Sequence, residues 1–236
     1  MITLSKRLEA IAELVTPGNV VCDVGTDHGY IPIWLVQQEK IPRAIAMDLR
    51  EGPLARASEH IRRCGLSERI ETRLSDGTKA LRAGEADTIV CAGMGGELIL
   101  HILTDGEEVC RSARELILQP QSEIARVRRY LREHEYRITA ENMILEDGKY
   151  YPMMRVQPQP ACSEAEMECQ EVYDLYGRLL LQEKHPVMRQ YLEREEKQLT
   201  DILGELDRQS ASEKLKIRRA EIEKKLEINR RARQLI

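Results

Sequence analysis

The sequence predicts an α/β fold: a mostly parallel sheet covered on both faces, ending in an antiparallel hairpin and followed by a helical, coiled-coil-like domain. Three observations predict it. Short apolar runs alternate with amphipathic stretches as far as residue 119, which implies crossover connections and a sheet buried on both sides. Asp147-Gly148 then separates two strand-like runs, a strong short-range hairpin signal. From about residue 163, Glu, Lys, Arg and Leu dominate, and leucines recur every seven residues at 192, 199 and 206.

In chain order, TLSKRLEAIAELVT (3–16) places Leu4, Leu8, Ile11, Ala12 and Val15 at helical spacing. NVVCDV (19–24) reads as a buried first strand, and GYIPIWLVQQ as a helix after its proline. RAIAMD (43–48) is a second strand ending in an acid, and EGPLARASEHIRRCG an amphipathic helix stopped by Gly65. RIETRLS (69–75), ADTIVCA (86–92) and ELILQ (115–119) continue the strands, and SEIARVRRYLREHE (122–135) is a helix. YRITAENMILE and KYYPMMRVQP form the hairpin, with a bulge expected at Pro152 because proline has no N–H for the ladder. PQPAC (158–162) reads as a linker, dividing the chain into domains at 1–160 and 161–236. Leu215 and Ile222 resume the seven-residue spacing after QSASE, so the second domain reads as a helical hairpin or antiparallel coiled coil.

Composition narrows the function classes. A net charge of −4 argues against a uniformly basic nucleic-acid coat, yet KLKIRRAEIEKKLEINRRARQ near the end holds more bases than acids. That stretch is either a solvated helix face or a contact for an anionic polymer. With no Phe and one Trp, base stacking would fall mainly to Tyr or Arg. Six scattered cysteines without a C-x-x-C pair, an opening without an apolar signal core, and no membrane-length apolar run suggest a reduced cytoplasmic protein.

The chemistry-bearing residues cluster after the strands, where open α/β sheets bind ligands. In VCDVGTDHGY (21–30), Gly25 permits a sharp turn and Gly29 a close approach to the ligand, while Asp27 stands where a dinucleotide loop has its second glycine. An acid there disfavours a phosphate-bearing ligand and suits a cationic one. Asp48, about twenty residues on, is placed to accept from ribose hydroxyls or to cap the next helix. Asp76-Gly77 is either a plain turn or an adenine contact, with Asp76 accepting from the amino group and Gly77 leaving room for the ring. Together these strand ends fit a methionine-like tail, a ribose and an adenine, the shape of S-adenosylmethionine. His28 and Leu49 adjoin these residues and join the cofactor set. Gly93 and Met94 of CAGMGGEL either bring bare backbone and a thioether to the cleft, with Met94 against cofactor or base, or open a helix with glycines for packing. Gln119, Pro120 and Gln121 end strand five, where amides can read a base edge. No metal is expected, because adjacent Asp27 and His28 point apart and no third ligand has recognisable spacing.

LSKRL, DVGTDHGYIP, GEADTIVCAGMGGELILHIL and RELILQPQSE closely resemble the bacterial TrmK-type tRNA (adenine-22-N1)-methyltransferases over roughly residues 1–160. The resemblance implies a Rossmann-like class I methyltransferase fold with a helical C-terminal extension, S-adenosylmethionine as methyl donor, and tRNA as partner. It departs mildly from the family at Gln121, where Asn is common, and at Gly29, where Ala is common. Within it Asp27 is the expected catalytic carboxylate, Tyr30 either orients Asp27 or stacks on the adenine, and Arg7 of the LS-x-RL segment faces the same cleft or the surface. Residues 161–236 are the expected tRNA-binding arm, and a monomer is the default expectation. A methyltransferase acting on another RNA or on a small molecule is the alternative.

Overall fold

The computed structural model describes residues 2–159, 169–208 and 213–236. The chain divides into two compact units, Met1–Cys162 and Ser163–Ile236.

In the first unit, α1 (Lys6–Leu14) is capped by Ser5, whose Oγ accepts from the Leu8 N–H at 3.3 Å. It therefore starts three residues later than the apolar spacing alone predicts. Next come β1 (Val21–Val24), α2 (Tyr30–Gln37), β2 (Ala44–Asp48), α3 (Glu51–Arg63) and β3 (Ile70–Leu74). The unit continues through β4 (Thr88–Met94), α4 (Gly96–Asp105), α5 (Glu107–Ser112), β5 (Glu115–Pro120) and α6 (Ile124–Glu133), then β6 (Arg137–Glu146) and β7 (Lys149–Gln157). Among the described residues seven strands form one sheet in the order β3-β2-β1-β4-β5-β7-β6. Strands β1 to β5 are parallel, and β7 runs antiparallel to both β5 and β6. Strand order reverses between β1 and β4, so the carboxyl ends of those strands open a cleft at the switch point.

Side-chain alternation divides the core between the two faces of the sheet. Cys22 and Val24 of β1 pack with Ile99, Leu103, Val127 and Leu131 of α4 and α6, whereas Val21 packs with Ile11 and Ile33 of α1 and α2. Burial pushes the Cys22 and Cys91 thiols well above their ordinary value and Cys110 up to about 12, so all three act as small apolar groups.

The hairpin corrects one expectation. Asp147 (φ 50°) and Gly148 (φ 74°) make the tight turn, but Pro152 stands in register opposite Met143 without a bulge. The irregularity lies across the ladder, between Ile138 and Ala140. Pairing of β5 with β7 ends at Met154, so Pro152 lies beyond the reach of the β5 ladder. Strand β4 also runs two residues further than its apolar run, through Gly93 (φ 76°), where its register with β5 shifts.

The second unit contains α7 (Gln170–Tyr176), α8 (Arg178–Gln182), α9 (Pro186–Leu206) and α10 (Glu213–Leu235). Leu199 of α9 packs with Ile222 and Leu226 of α10. Asn229 donates to the Leu192 carbonyl while Arg219 meets Asp207, so α9 and α10 run antiparallel. The last linker residues, 160–162, and all of QSASE before Glu213 lie outside the described residues. No described helix is long and apolar enough to cross a membrane.

Candidate active site

The loop between β1 and α2 is built by backbone bonds to its neighbour strand. Gly25 and Thr26 both donate to the Met47 carbonyl of β2, at 2.8 and 2.9 Å. Gly25 has φ 77°, and a Cβ there would stand 3.2 Å from Met94 Cε. The turn thus sits directly beneath a residue of the AGMGG stretch. Asp27 adopts φ 35°, a left-handed conformation that Asp tolerates better than most residues. Its carboxylate accepts from Arg56 Nη2 at 2.8 Å and lies 3.7 Å from His28 Nε2. Tyr30 opens α2 and remains 39% exposed.

Gly29 is close-packed against α3. It caps α2 at φ 71°, and a Cβ would meet Ala57 Cβ of α3 at 3.4 Å. The side on which a Cβ would stand is turned toward α3. Gly77 (φ 58°) likewise turns its missing Cβ toward Ile102 of α4, at 3.3 Å. A cavity of about 100 Å³ lies alongside, lined by Asp76, Gly77, Lys79, His101 and Asp105 among others. The Lys79 ammonium bonded to Asp76 holds that carboxyl below its usual range.

Two carboxylates lie at or near the carboxyl ends of the central strands. Asp48 is buried, and its Oδ1 accepts the Arg50 N–H at 2.8 Å, so it does cap the turn into α3. No partner for its Oδ2 is found among the described residues. Leu49 beside it is 63% exposed, an apolar surface at the cleft. Asp23 of β1 is buried and has no cationic partner among the described residues. Desolvation lifts its pKa to about 6, with the Asp48 charge adding to the rise and the 2.7 Å bond from Thr26 Oγ1 opposing it. The one sequence signal for it was an acid inside the otherwise apolar run NVVCDV.

That rise makes a pH prediction. A carboxyl with a higher pKa folded than unfolded stabilises the fold least when both states are ionised. Asp23 therefore carries a penalty of about 2–3 kcal/mol above pH 6, which fades as pH falls toward 4. Asp23→Asn is expected to raise the urea midpoint at pH 7.5 and to show little gain at pH 4. An equal gain at both values would mean that the charge is not the cause.

The other wall of the cleft joins residues far apart in sequence. Arg7 Nη1 donates to Gln119 Oε1 at 3.1 Å, the Gly93 N–H donates to the same oxygen at 3.1 Å, and the Arg7 guanidinium lies 5.6 Å from the Tyr151 ring centroid. A Cβ on Gly93 would stand 3.3 Å from Arg7 Nη1 and 3.8 Å from Gln121 Nε2. The structure thus brings together Arg7, Gln119, Gln121 and Gly93, with Gln121 exposed. Gln119 and Pro120 are buried, and the Gln119 carbonyl is committed to Arg7 and Gly93. Gln119 therefore fixes Arg7 from behind instead of offering a free edge. Tyr151 beside Arg7, and Arg56 and His60 beside the loop after β1, carry no local sequence signal, because contact across the fold, not sequence spacing, puts them there.

A turn of this kind after β1, acids after β2 and β3, and a seven-stranded sheet closed by an antiparallel hairpin define a class I methyltransferase. A family model described as a methyltransferase domain matches residues 4–154. The tRNA (adenine(22)-N(1))-methyltransferase of Bacillus subtilis is 39% identical over 151 residues, 64% of this chain and 63% of that protein. The crystal structure of the B. subtilis m1A22 tRNA methyltransferase TrmK superposes with a TM-score of 0.85 at 30% identity, covering 99% of this chain and 100% of that one. The chain belongs to the TrmK-type tRNA methyltransferase family. A putative tRNA (m1A22) methyltransferase of Streptococcus pneumoniae, solved in complex with S-adenosyl-L-methionine, is also similar, at TM-score 0.84 and 32% identity over 98% of this chain and 100% of that one.

Proposed function

We propose that the chain transfers a methyl group from S-adenosylmethionine to N1 of adenine 22 in tRNA. The observation that carries this reading is the pair of buried carboxylates, Asp23 near the end of β1 and Asp48 at the end of β2, with no neutralising cation on Asp23 among the described residues. Buried like charges of this kind suit a ligand that brings positive charge and hydroxyl donors. S-adenosylmethionine supplies, when bound, a methyl group on a cationic sulfur. Gly25 would hold its methionine end, Asp48 its ribose, and Leu49, Asp76 and Gly77 its adenine. His28, Gly29, Gly93 and Met94 frame the same pocket, with Gly29 acting through α3 packing.

Adenine N1 carries an in-plane lone pair and needs no prior deprotonation. The chain's own contributions are then alignment, water exclusion and charge. Asp27 stands at the loop end to face the charge that spreads to the exocyclic amine, and Tyr30 lies beside it to orient the carboxylate or to stack on the base. Arg7, held by Gln119, forms the opposite wall with Pro120 and Gln121. The target base must leave its stack to enter, at a cost of a few kcal/mol. Residues 161–236 act as the tRNA grip, and the protein works as a cytoplasmic monomer.

Incubating unmodified tRNA transcripts with labelled S-adenosylmethionine tests the reading. Label is expected in 1-methyladenosine at position 22 and lost when that adenine is replaced by guanine. Label on another RNA position or only on a small molecule would replace this substrate with the alternative one. The same assay tests the arm. Replacing exposed Lys214, Lys216 and Lys225 of α10 with Gln should raise the tRNA KM and flatten its salt dependence, by about 0.7–0.9 in log–log slope per lost phosphate contact. An unchanged slope would remove α10 from the tRNA interface.

A further inference from the structure

We infer that one face of α3, carrying Arg56, Ala57 and His60, is a clamp that positions the Asp27–Tyr30 loop for the reaction. Three different contacts converge there. Arg56 donates from Nη2 to Asp27 Oδ1 at 2.8 Å. Ala57, fully buried, fills the space that the missing Cβ of Gly29 leaves open. His60 bonds through Nδ1 to the His28 carbonyl oxygen at 3.1 Å. A carbonyl can only accept, so His60 Nδ1 bears the hydrogen. The His60 ring also lies against both rings of the loop, with centroids 5.4 Å from His28 and 5.6 Å from Tyr30. Those two rings stack on each other at 5.2 Å and 12°.

Arg56 and His60 are one helical turn apart, so they project side by side. Each holds a different part of the loop: the Asp27 carboxylate, and the backbone and rings of the next residues. The loop needs such support. Asp27 is held at positive φ, its side chain is 56% exposed, and His28 Nδ1 is buried without a hydrogen-bond partner among the described residues. Left to itself, an exposed carboxylate on such a turn would sample several positions. A clamp from α3 fixes the one that faces the cleft. Arg56 and His60 are positioning residues in this account, acting through Asp27 and Tyr30.

The proposal rests on the methyltransfer reading for its kinetic test, so a second readout is independent of substrate. In the full-length protein, His60→Ala is expected to lower kcat on tRNA by about ten- to hundredfold, the range for small misplacements of a reacting constellation. Cofactor affinity by calorimetry and the thermal midpoint should change little. His60→Phe, which keeps a ring but loses the bond to His28, should restore part of kcat, and Arg56→Lys should retain more kcat than Arg56→Ala. Without any RNA, the His28 and Tyr30 ring-proton resonances should shift in His60→Ala as the ring current disappears. A full kcat in His60→Ala, or unmoved His28 and Tyr30 resonances, would overturn the clamp. Shifted resonances in a protein that methylates no tRNA would support the clamp and reject the reaction instead.

Discussion

Asp27→Asn is expected to lower kcat for tRNA methylation by about 10²–10³-fold, the usual effect of removing one group aimed at developing charge. Cofactor affinity should stay close to that of the unsubstituted protein. Asn is the informative replacement because the backbone at Asp27 sits at φ 35°. Asn enters the left-handed region readily, whereas Ala there adds strain that would blur the reading. Asn also keeps the carboxylate's shape and a carbonyl for Arg56, which donates to Oδ1 at 2.8 Å. What disappears is the negative charge. Methylation at N1 leaves the adenine cationic, and a carboxylate at the amine edge stabilises that charge only as the bond forms. Turnover should therefore fall without a matching change in ground-state affinity. Steady-state kinetics at saturating cofactor, beside calorimetric titration of S-adenosylmethionine, separates the outcomes. Parallel loss of kcat and cofactor affinity would make Asp27 a cofactor ligand.

The residues that the sequence exposed and those it hid differ in a physical way. The strands were legible because their apolar runs are buried on both faces, as in VCDV and ELILQP. The hairpin was legible because Asp147-Gly148 has few alternatives to a tight turn. Glycines proved less legible. Gly25, Gly29 and Gly77 all have positive φ, but what fills the space of the missing Cβ is Met94, Ala57 and Ile102 in turn, and spacing alone cannot tell a ligand from a neighbouring helix. Local chemistry points to the proline for the bulge, whereas the sheet admits Pro152 because pairing between β5 and β7 ends at Met154. Asp23 was passed over because an acid within a strand looks like an interruption until its burial is known. Arg56, His60 and Tyr151 reach the cleft from α3 and β7, and nothing in their local sequence marks them.

Glu141→Ala is expected to destabilise the first unit by about 3–5 kcal/mol, the usual cost of removing one member of a buried ion pair. Glu141 on β6 accepts from Arg128 Nε of α6 at 3.0 Å, and Nη2 lies 2.9 Å from the same oxygen. The two side chains are 1% and 4% exposed, so removing the carboxylate takes a close countercharge from a guanidinium held away from water. The pair joins α6, the last described helix of the first unit, to the edge strand β6. Activity per folded molecule should match that of the unsubstituted protein at temperatures where the variant stays folded, while the urea midpoint falls sharply. Replacing both partners with apolar side chains of similar volume, Arg128→Met with Glu141→Leu, should recover most of the loss, because burying two charges already offsets much of what their attraction gains. A loss below about 1 kcal/mol in Glu141→Ala would match an exposed ion pair and would mean that water reaches the α6–β6 seam in solution. A large loss that the double replacement fails to recover would instead assign the pair's value to geometry, with the guanidinium fixing how α6 lies on the hairpin.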